Sequence, residues 1–139
     1  MAHVLVLFAT SFGGILNAQT TLLFPDPSLE YAVRLALAKP TGAITTTDLQ
    51  SLKQLNTSWS GISDLSGLEW ATNLSSLSLS NNLIADPWPL AGLSVLTNLN
   101  LSRNPITNCA PLAQLTNLVS LDLSSPHGAD ESHVLEHKQ

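Results

Sequence analysis

Cationic side chains are scarce in this chain. Five Lys and Arg stand among 139 residues, scattered, against ten Asp and Glu, for a net charge of −5. A chain without a basic patch has no electrostatic footprint for nucleic acid or an anionic membrane, which argues against both as partners. Charged residues together make up 11%, against roughly 25% in a typical soluble domain. Ser, Thr and Asn carry the polar share instead. The one cysteine, Cys109, excludes an internal disulfide and a Cys-rich zinc site. Its simplest role is that of a small buried or half-buried apolar residue. No Gly-rich phosphate loop and no nucleophile elbow occur, and His127 has no catalytic partner. The longest apolar run, Val4–Leu16, falls short of the roughly 20 residues a membrane-spanning helix needs. It has the length of a secretion-signal core, with Ala18-Gln19 as the cleavage point. Met1–Ala18 is therefore expected to be a signal peptide, although it contains no Lys or Arg. The alternative is an apolar N-terminal segment packed on the domain.

What the chain does have is repetition. Leu65–Asp86 and Pro87–Asn108 are two copies of one 22-residue unit. Leu68, Leu74, Leu77, Leu79, Asn82 and Ile84 match Leu90, Leu96, Leu99, Leu101, Asn104 and Ile106. Ala43–Asp64 is a degenerate earlier unit, with Leu49, Leu52, Leu55 and Ile62 in register, Thr57 at a leucine position and Ser60 at the Asn position. A fourth unit, Cys109–Asp130, keeps Leu112, Leu115, Leu118, Leu121 and Leu123, then puts Pro126 where Asn belongs and Gly128 where Ile belongs. The polar tail 124–139 has no repeat pattern and is expected to be disordered, with at most a helical turn in Asp130–His137.

The spacing Leu74-x-x-Leu77-x-Leu79-x-x-Asn82-x-Ile84 is the leucine-rich-repeat template. It predicts one short strand per unit around Leu77–Leu79. Alternation sends Leu77 and Leu79 to the core and Ser76, Ser78 and Ser80 outward. Asn82 and Asn104 are expected to form a ladder of amides bonded to backbone where the chain leaves the strand. No unit buries its leucines alone, so stability arises from stacking. Ahead of the repeats, Phe24–Pro40 predicts a helix: Asp26 as cap, Pro27 at the first position, Glu30 in the first turn, and Leu29, Ala32, Val33, Ala36 and Leu37 on one apolar face. Thr46–Leu55 reads as a second short helix leading into a strand. Residues 24–64 are thus a helical N-cap with a degenerate first repeat, and 65–123 the repeats proper. The fold class is α/β: a short solenoid with a parallel concave β-sheet and a helical N-terminal cap.

These residues carry a resemblance. From about Leu23 to Leu123 the chain resembles bacterial leucine-rich-repeat proteins of the internalin type. FPDPSLEYAVRLALAKP followed by GAITTTDLQSLKQL looks like their N-terminal cap, and GISDLSGLEWATNLSSLSLSNNLIAD follows their repeat consensus. The resemblance implies a binding scaffold with interchangeable surfaces. Departures are the small number of repeats and the absence of a sorting motif or a C-terminal membrane helix.

On that template the concave face is Gln54, Asn56, Ser58; Ser76, Ser78, Ser80; Asn98, Asn100, Ser102; and Ser120, Asp122, Ser124. It lacks the Trp, Tyr and Arg that dominate interface energetics, and a solvated face without a partner is the plainer reading. Trp59 and Arg103 occupy equivalent rim positions and are the candidate anchors; Asn56, Ser78, Asn98, Asn100 and Asp122 complete the candidate surface. Packing is the first expectation for each tryptophan, with Trp70 and Trp88 on return segments. Asp64, Asp86 and Asn108 recur at the unit boundary as turn formers. Three N-x-S/T sequons, at Asn56, Asn73 and Asn100, matter only in a eukaryotic secretory pathway. His133-Val134-Leu135-Glu136-His137 fits a zinc-protease string but has no third ligand, so neither catalysis nor a cofactor nor a structural metal is expected. The leading expectation is a non-catalytic protein-binding module, secreted or at the cell surface. Two alternatives stand beside it: a fragment of a longer repeat protein, self-associating through its uncapped last repeat, or an intracellular repeat protein like certain phosphatase regulators.

Overall fold

A computed structural model describes residues 20–125. The expected signal peptide Met1–Ala18 and helical turn Asp130–His137 lie outside the described residues, as does all but the first two residues of the expected tail. In chain order the elements are strand β1 (Thr21–Leu22), helix α1 (Pro27–Ala36), strand β2 (Ile44–Thr45), helix α2 (Thr46–Ser51), and strands β3 (Gln54–Asn56), β4 (Ser76–Ser78), β5 (Asn98–Asn100) and β6 (Ser120–Asp122).

Helix α1 begins where Asp26, in an extended conformation, accepts from the N–H groups of Ser28 and Leu29 at 2.9 and 3.1 Å. Two of the orphan donors of the first turn are thereby satisfied. The helix stops at Ala36, four residues before the expected Pro40. Ala38 turns left-handed, with φ 51°. The N–H of Lys39 then bonds the Arg34 carbonyl and that of Ala38 the Leu35 carbonyl, a Schellman closure. Arg34 locks the return by donating to the carbonyls of Lys39 and Gly42. Leu29, Ala32 and Val33 are buried as expected and Leu37 half-buried against the core, but Ala36 is exposed.

β1 and β2 pair antiparallel at the base of this cap. Helix α2 carries a reciprocal capping box: Thr45 accepts from the Asp48 N–H, and Asp48 accepts from the Thr45 N–H. Lys39 also reaches Asp48 at 2.7 Å. This helix covers Thr46–Ser51 and not Thr46–Leu55. Leu52 is already extended, with ψ 119°, and the period changes to two as the chain enters β3.

The four later strands form one parallel sheet in the order β3-β4-β5-β6. Gln54, Ser76, Asn98 and Ser120 lie in one row, so each step of the sheet is one 22-residue unit. The strand expected around Leu77–Leu79 is centred on Leu77 instead. Leu79 still donates to the Asn100 carbonyl at 2.8 Å, so the inter-unit ladder runs past the strand into the turn. The leucines of every unit enter one continuous core, which α1 joins through Leu29 and Val33. Return segments cross the convex side as 3-10 turns at Leu68–Trp70, Trp88–Leu90 and Ala110–Gln114. The core thins at its far end, where Leu118, Leu121 and Leu123 are only half-buried while their counterparts Leu96, Leu99 and Leu101 are buried. Among the described residues, no helix is long and apolar enough to cross a membrane.

Candidate functional site

The asparagine positions decide how the strand-to-turn corner is built. Asn82 is 5% exposed. Its amide nitrogen donates to the carbonyls of Thr57 and Leu79 at 2.9 Å, and its oxygen accepts from the N–H groups of Ser60 and Ile62 at 3.1 Å. Asn104 repeats the arrangement one unit on, donating to Leu79 and Leu101 and accepting from Ile84. In the first unit Ser60 is too short for this reach; its hydroxyl contacts the Ser58 carbonyl and the Thr57 hydroxyl.

One residue before each of these corners the backbone turns left-handed: φ is 60° at Trp59, 56° at Asn81 and 57° at Arg103. The inter-unit ladder holds it there, since the three N–H groups donate to the carbonyls of Ser80, Ser102 and Ser124. Asn tolerates this conformation; Trp and Arg do so at a cost. The corner therefore throws both candidate anchors outward, and Trp59 is 75% exposed. Trp70 is half-buried against the core, whereas Trp88, for which packing was expected, is 60% exposed. The Pro87 turn that starts its 3-10 segment points the indole away from the stack.

On the concave face Asn56 and Asn98 are exposed, and Ser78, Asn100 and Asp122 half-buried. Two of these side chains are partly committed to the backbone. Asn100 accepts from the N–H and hydroxyl of Ser102, and Asp122 accepts from the Ser124 N–H. Ser102, expected to face outward, is consequently buried at 7% exposure. Ser58 and Ser80 bond one another at 2.8 Å.

At β3 a second wall comes from α1. α1 packs beside β3, and between them lies a groove of about 760 Å³ lined by Pro27, Tyr31, Leu35, Asn56, Thr57 and Ser60, among others. Tyr31 is 66% exposed and Leu35 64%. Their four-residue spacing places both on the side of α1 opposite Leu29 and Val33. That spacing was the available signal, and it was masked by the stronger core stripe.

The shifted acids hold the cap and lie apart from the concave face. Burial opposes ionisation of Asp26, yet donors from Ser63, Leu29, Asp64 and Ser28 outweigh it and hold its pKa below the ordinary carboxylate value. At Asp48 burial is likewise outweighed, by Lys39 and Thr45. Asp64, Asp86 and Asn108 each accept from the N–H two residues on, the turn-forming role expected of them. Cys109 is half-buried. Among the described residues, no three His, Cys, Asp or Glu side chains are grouped to hold a metal; the His133–His137 string lies outside them.

No protein-family model and no curated protein matches the chain. Solved structures do. An internalin (inlF) from Listeria monocytogenes is similar with a TM-score of 0.70 at 37% identity, over 72% of this chain and 30% of that one. Internalin C2 from the same organism gives 0.70 and 37% over 73% of this chain and 46% of that one. The repeats are leucine-rich repeats of the internalin type. A structure of the CBM51-2 and INT domains of Clostridium perfringens ZmpB is similar at 36% identity and TM-score 0.58, over 64% of this chain and 19% of that one. The internalin-type chain described here spans less than half the length of either internalin it matches.

Proposed function

We propose that this chain is a non-catalytic recognition module of a secreted or surface leucine-rich-repeat protein, binding a protein partner through the concave face and its rim. One observation carries the reading. Trp59 stands 75% exposed in a left-handed backbone that a smaller residue would occupy at lower cost, beside a sheet whose outward residues are free to vary without touching the core. Large exposed aromatics at a rim are what interface anchors are made of. The internalin likeness supports a binding scaffold, and Met1–Ala18 supports export. The test is capture of surface partners by the full chain alongside the Trp59→Ala/Arg103→Ala variant. A partner retained by the parent and by Trp88→Ala, but lost by the rim variant, is expected. Identical capture by all three overturns the reading. N-terminal sequencing of exported protein, expected to begin at Gln19, checks the compartment and separates it from the intracellular, phosphatase-regulator-like reading.

A second reading has its own observation. Half-burial of Leu118, Leu121 and Leu123 leaves β6 as the least protected strand of the sheet, suited to a further repeat or a second copy. Sedimentation of the full chain decides: concentration-dependent dimers support this reading, and a stable monomer counts against it.

A further inference from the structure

The groove between α1 and β3 has two walls of different character. The helix wall is apolar at Pro27, Tyr31, Leu35 and its alanines, with Ser28 its one polar residue; the strand wall is polar at Asn56, Thr57 and Ser60, with Leu55 its one apolar residue. None of these groups is charged at neutral pH. The nearest ions on α1, Glu30 and Arg34, are paired with each other at 2.8 Å, and Arg34 is further occupied by two backbone carbonyls. A phosphate, a carboxylate or a cation would find no counter-charge here. A purely apolar ligand would leave the exposed Asn56 amide desolvated and unpaired. An added peptide strand finds the flank of β3 occupied by α1, which closes the usual route of strand addition.

A sugar ring satisfies both walls. Its axial C–H bonds present a weakly positive, apolar face that stacks on the negative face of an aromatic ring, and its hydroxyls donate and accept at the edge. Tyr31, 66% exposed and lining the groove, supplies the ring. The Ser60 hydroxyl donates to the Ser58 carbonyl, so the hydrogen shared with Thr57 comes from Thr57. The Thr57 oxygen then faces a ligand as an acceptor beside the Asn56 amide. The volume, about 760 Å³, falls in the range of about 300–1,000 Å³ typical of small-ligand clefts.

We infer that this groove is a binding site for a neutral oligosaccharide, stacked on Tyr31 and hydrogen-bonded by Asn56 and Thr57. The inference goes beyond protein recognition and does not rest on it, because Tyr31 lies on α1, outside the concave face, and its variant leaves that face, Trp59 and Arg103 in place. The experiment titrates the full chain with cellotetraose, chitotetraose, maltotetraose and mannotetraose, following tryptophan fluorescence and heat. At least one is expected to bind saturably, with an affinity that does not change with salt, since no charge is neutralised. Tyr31→Ala and Asn56→Ala are each expected to weaken it by about tenfold, equivalent to roughly 1.4 kcal/mol, with melting temperatures unchanged because both side chains are exposed. Trp88→Ala binds as the parent does. Absence of saturable binding to all four sugars overturns the inference. So does binding that survives Tyr31→Ala, and so does binding only to a neutral apolar peptide.

Discussion

Replacing Asn82 by Ala removes one side chain and strands three backbone groups. The N–H groups of Ser60 and Ile62 lose their acceptor and the Thr57 carbonyl loses its donor, whereas the Leu79 carbonyl keeps the Asn104 amide. A buried polar group left without a partner costs about 1–3 kcal/mol. The Ile62 N–H sits in the buried part of the corner, and the other two are partly wetted. Full cost for one group and part of it for the other two give a loss of about 2–4 kcal/mol, a large share of the roughly 5–15 kcal/mol that holds a domain together. Asn104→Ala strands the Ile84 N–H and the Leu101 carbonyl, both at part-buried sites, and is expected to cost about half as much. Urea denaturation of both variants measures the pair, read from midpoints at constant slope. Equal losses, or a loss under about 1 kcal/mol for Asn82→Ala, would refute the ladder as the device that ties one unit to the next.

Gly61 and Gly67 both have positive φ, 70° and 105°, but only Gly67 faces an obstacle: a Cβ there would meet the Phe24 ring at 2.6 Å. Gly67→Ala is expected to cost about 2–3 kcal/mol by strain and overpacking, and Gly61→Ala about 1 kcal/mol; thermal melts showing the reverse order would contradict the packing of Phe24. Trp59→Asn relieves the left-handed strain without removing core contact and should raise stability by about 0.5–1 kcal/mol while lowering partner binding; a fall in melting temperature would mean that the indole packs on something. The folded pKa of Asp26 is lowered, so its contribution is fully present above the unfolded value near about 3.9 and is lost as pH falls through the folded value. Acid titration of stability should therefore show a flatter acid limb in Asp26→Asn than in the parent, and superimposable limbs would exclude Asp26 as the acid-sensitive contact.

The repeat made most of the fold legible because it constrains itself. A leucine every 22 residues is readable only as a stack, and the sheet register follows that interval row by row. Helix ends were less legible. The stop at Ala36 depends on Ala38 turning left-handed under carbonyls supplied by Arg34 and Leu35, whereas the chain offered Pro40 as the obvious terminator. Side-chain direction on the concave face was half legible. Alternation assigned Ser102 outward, but an Asn two residues earlier reaches forward and draws it in, a local competition invisible to a period-two rule. The groove was the least legible feature, because it needs Tyr31 and Asn56, 25 positions apart in sequence, to line one space between α1 and β3.

Whether that groove is a rigid site depends on how the cap is fastened, and the fastening uses the same chemistry as the ladder. One Asp26 oxygen caps α1; the other accepts from the N–H groups of Ser63 and Asp64 in the first unit. Asn82 meets the same unit from the opposite side, through Ser60 and Ile62. The first repeat, which lacks an asparagine of its own, is thus held between a carboxylate from the cap and an amide from the second repeat. Phe24, seated over Gly67, adds an apolar contact where those bonds end. A helix fastened at its N-terminus by the three hydrogen bonds that Asp26 accepts from Ser63 and Asp64 and along its buried side by Leu29 and Val33 has little freedom to rock. Tyr31 and Leu35 are therefore fixed relative to Asn56 and Thr57 before any ligand arrives, which lowers the ordering cost of binding. Asp26→Ala separates this fixed geometry from mere proximity. It meets the groove only at the backbone of Pro27 and Ser28, away from Tyr31 and Asn56, yet it should weaken oligosaccharide binding together with cap stability, whereas Asp48→Ala, which loosens only α2 and Lys39, should leave binding intact. Equal effects of the two variants would mean that the groove is assembled by the core alone.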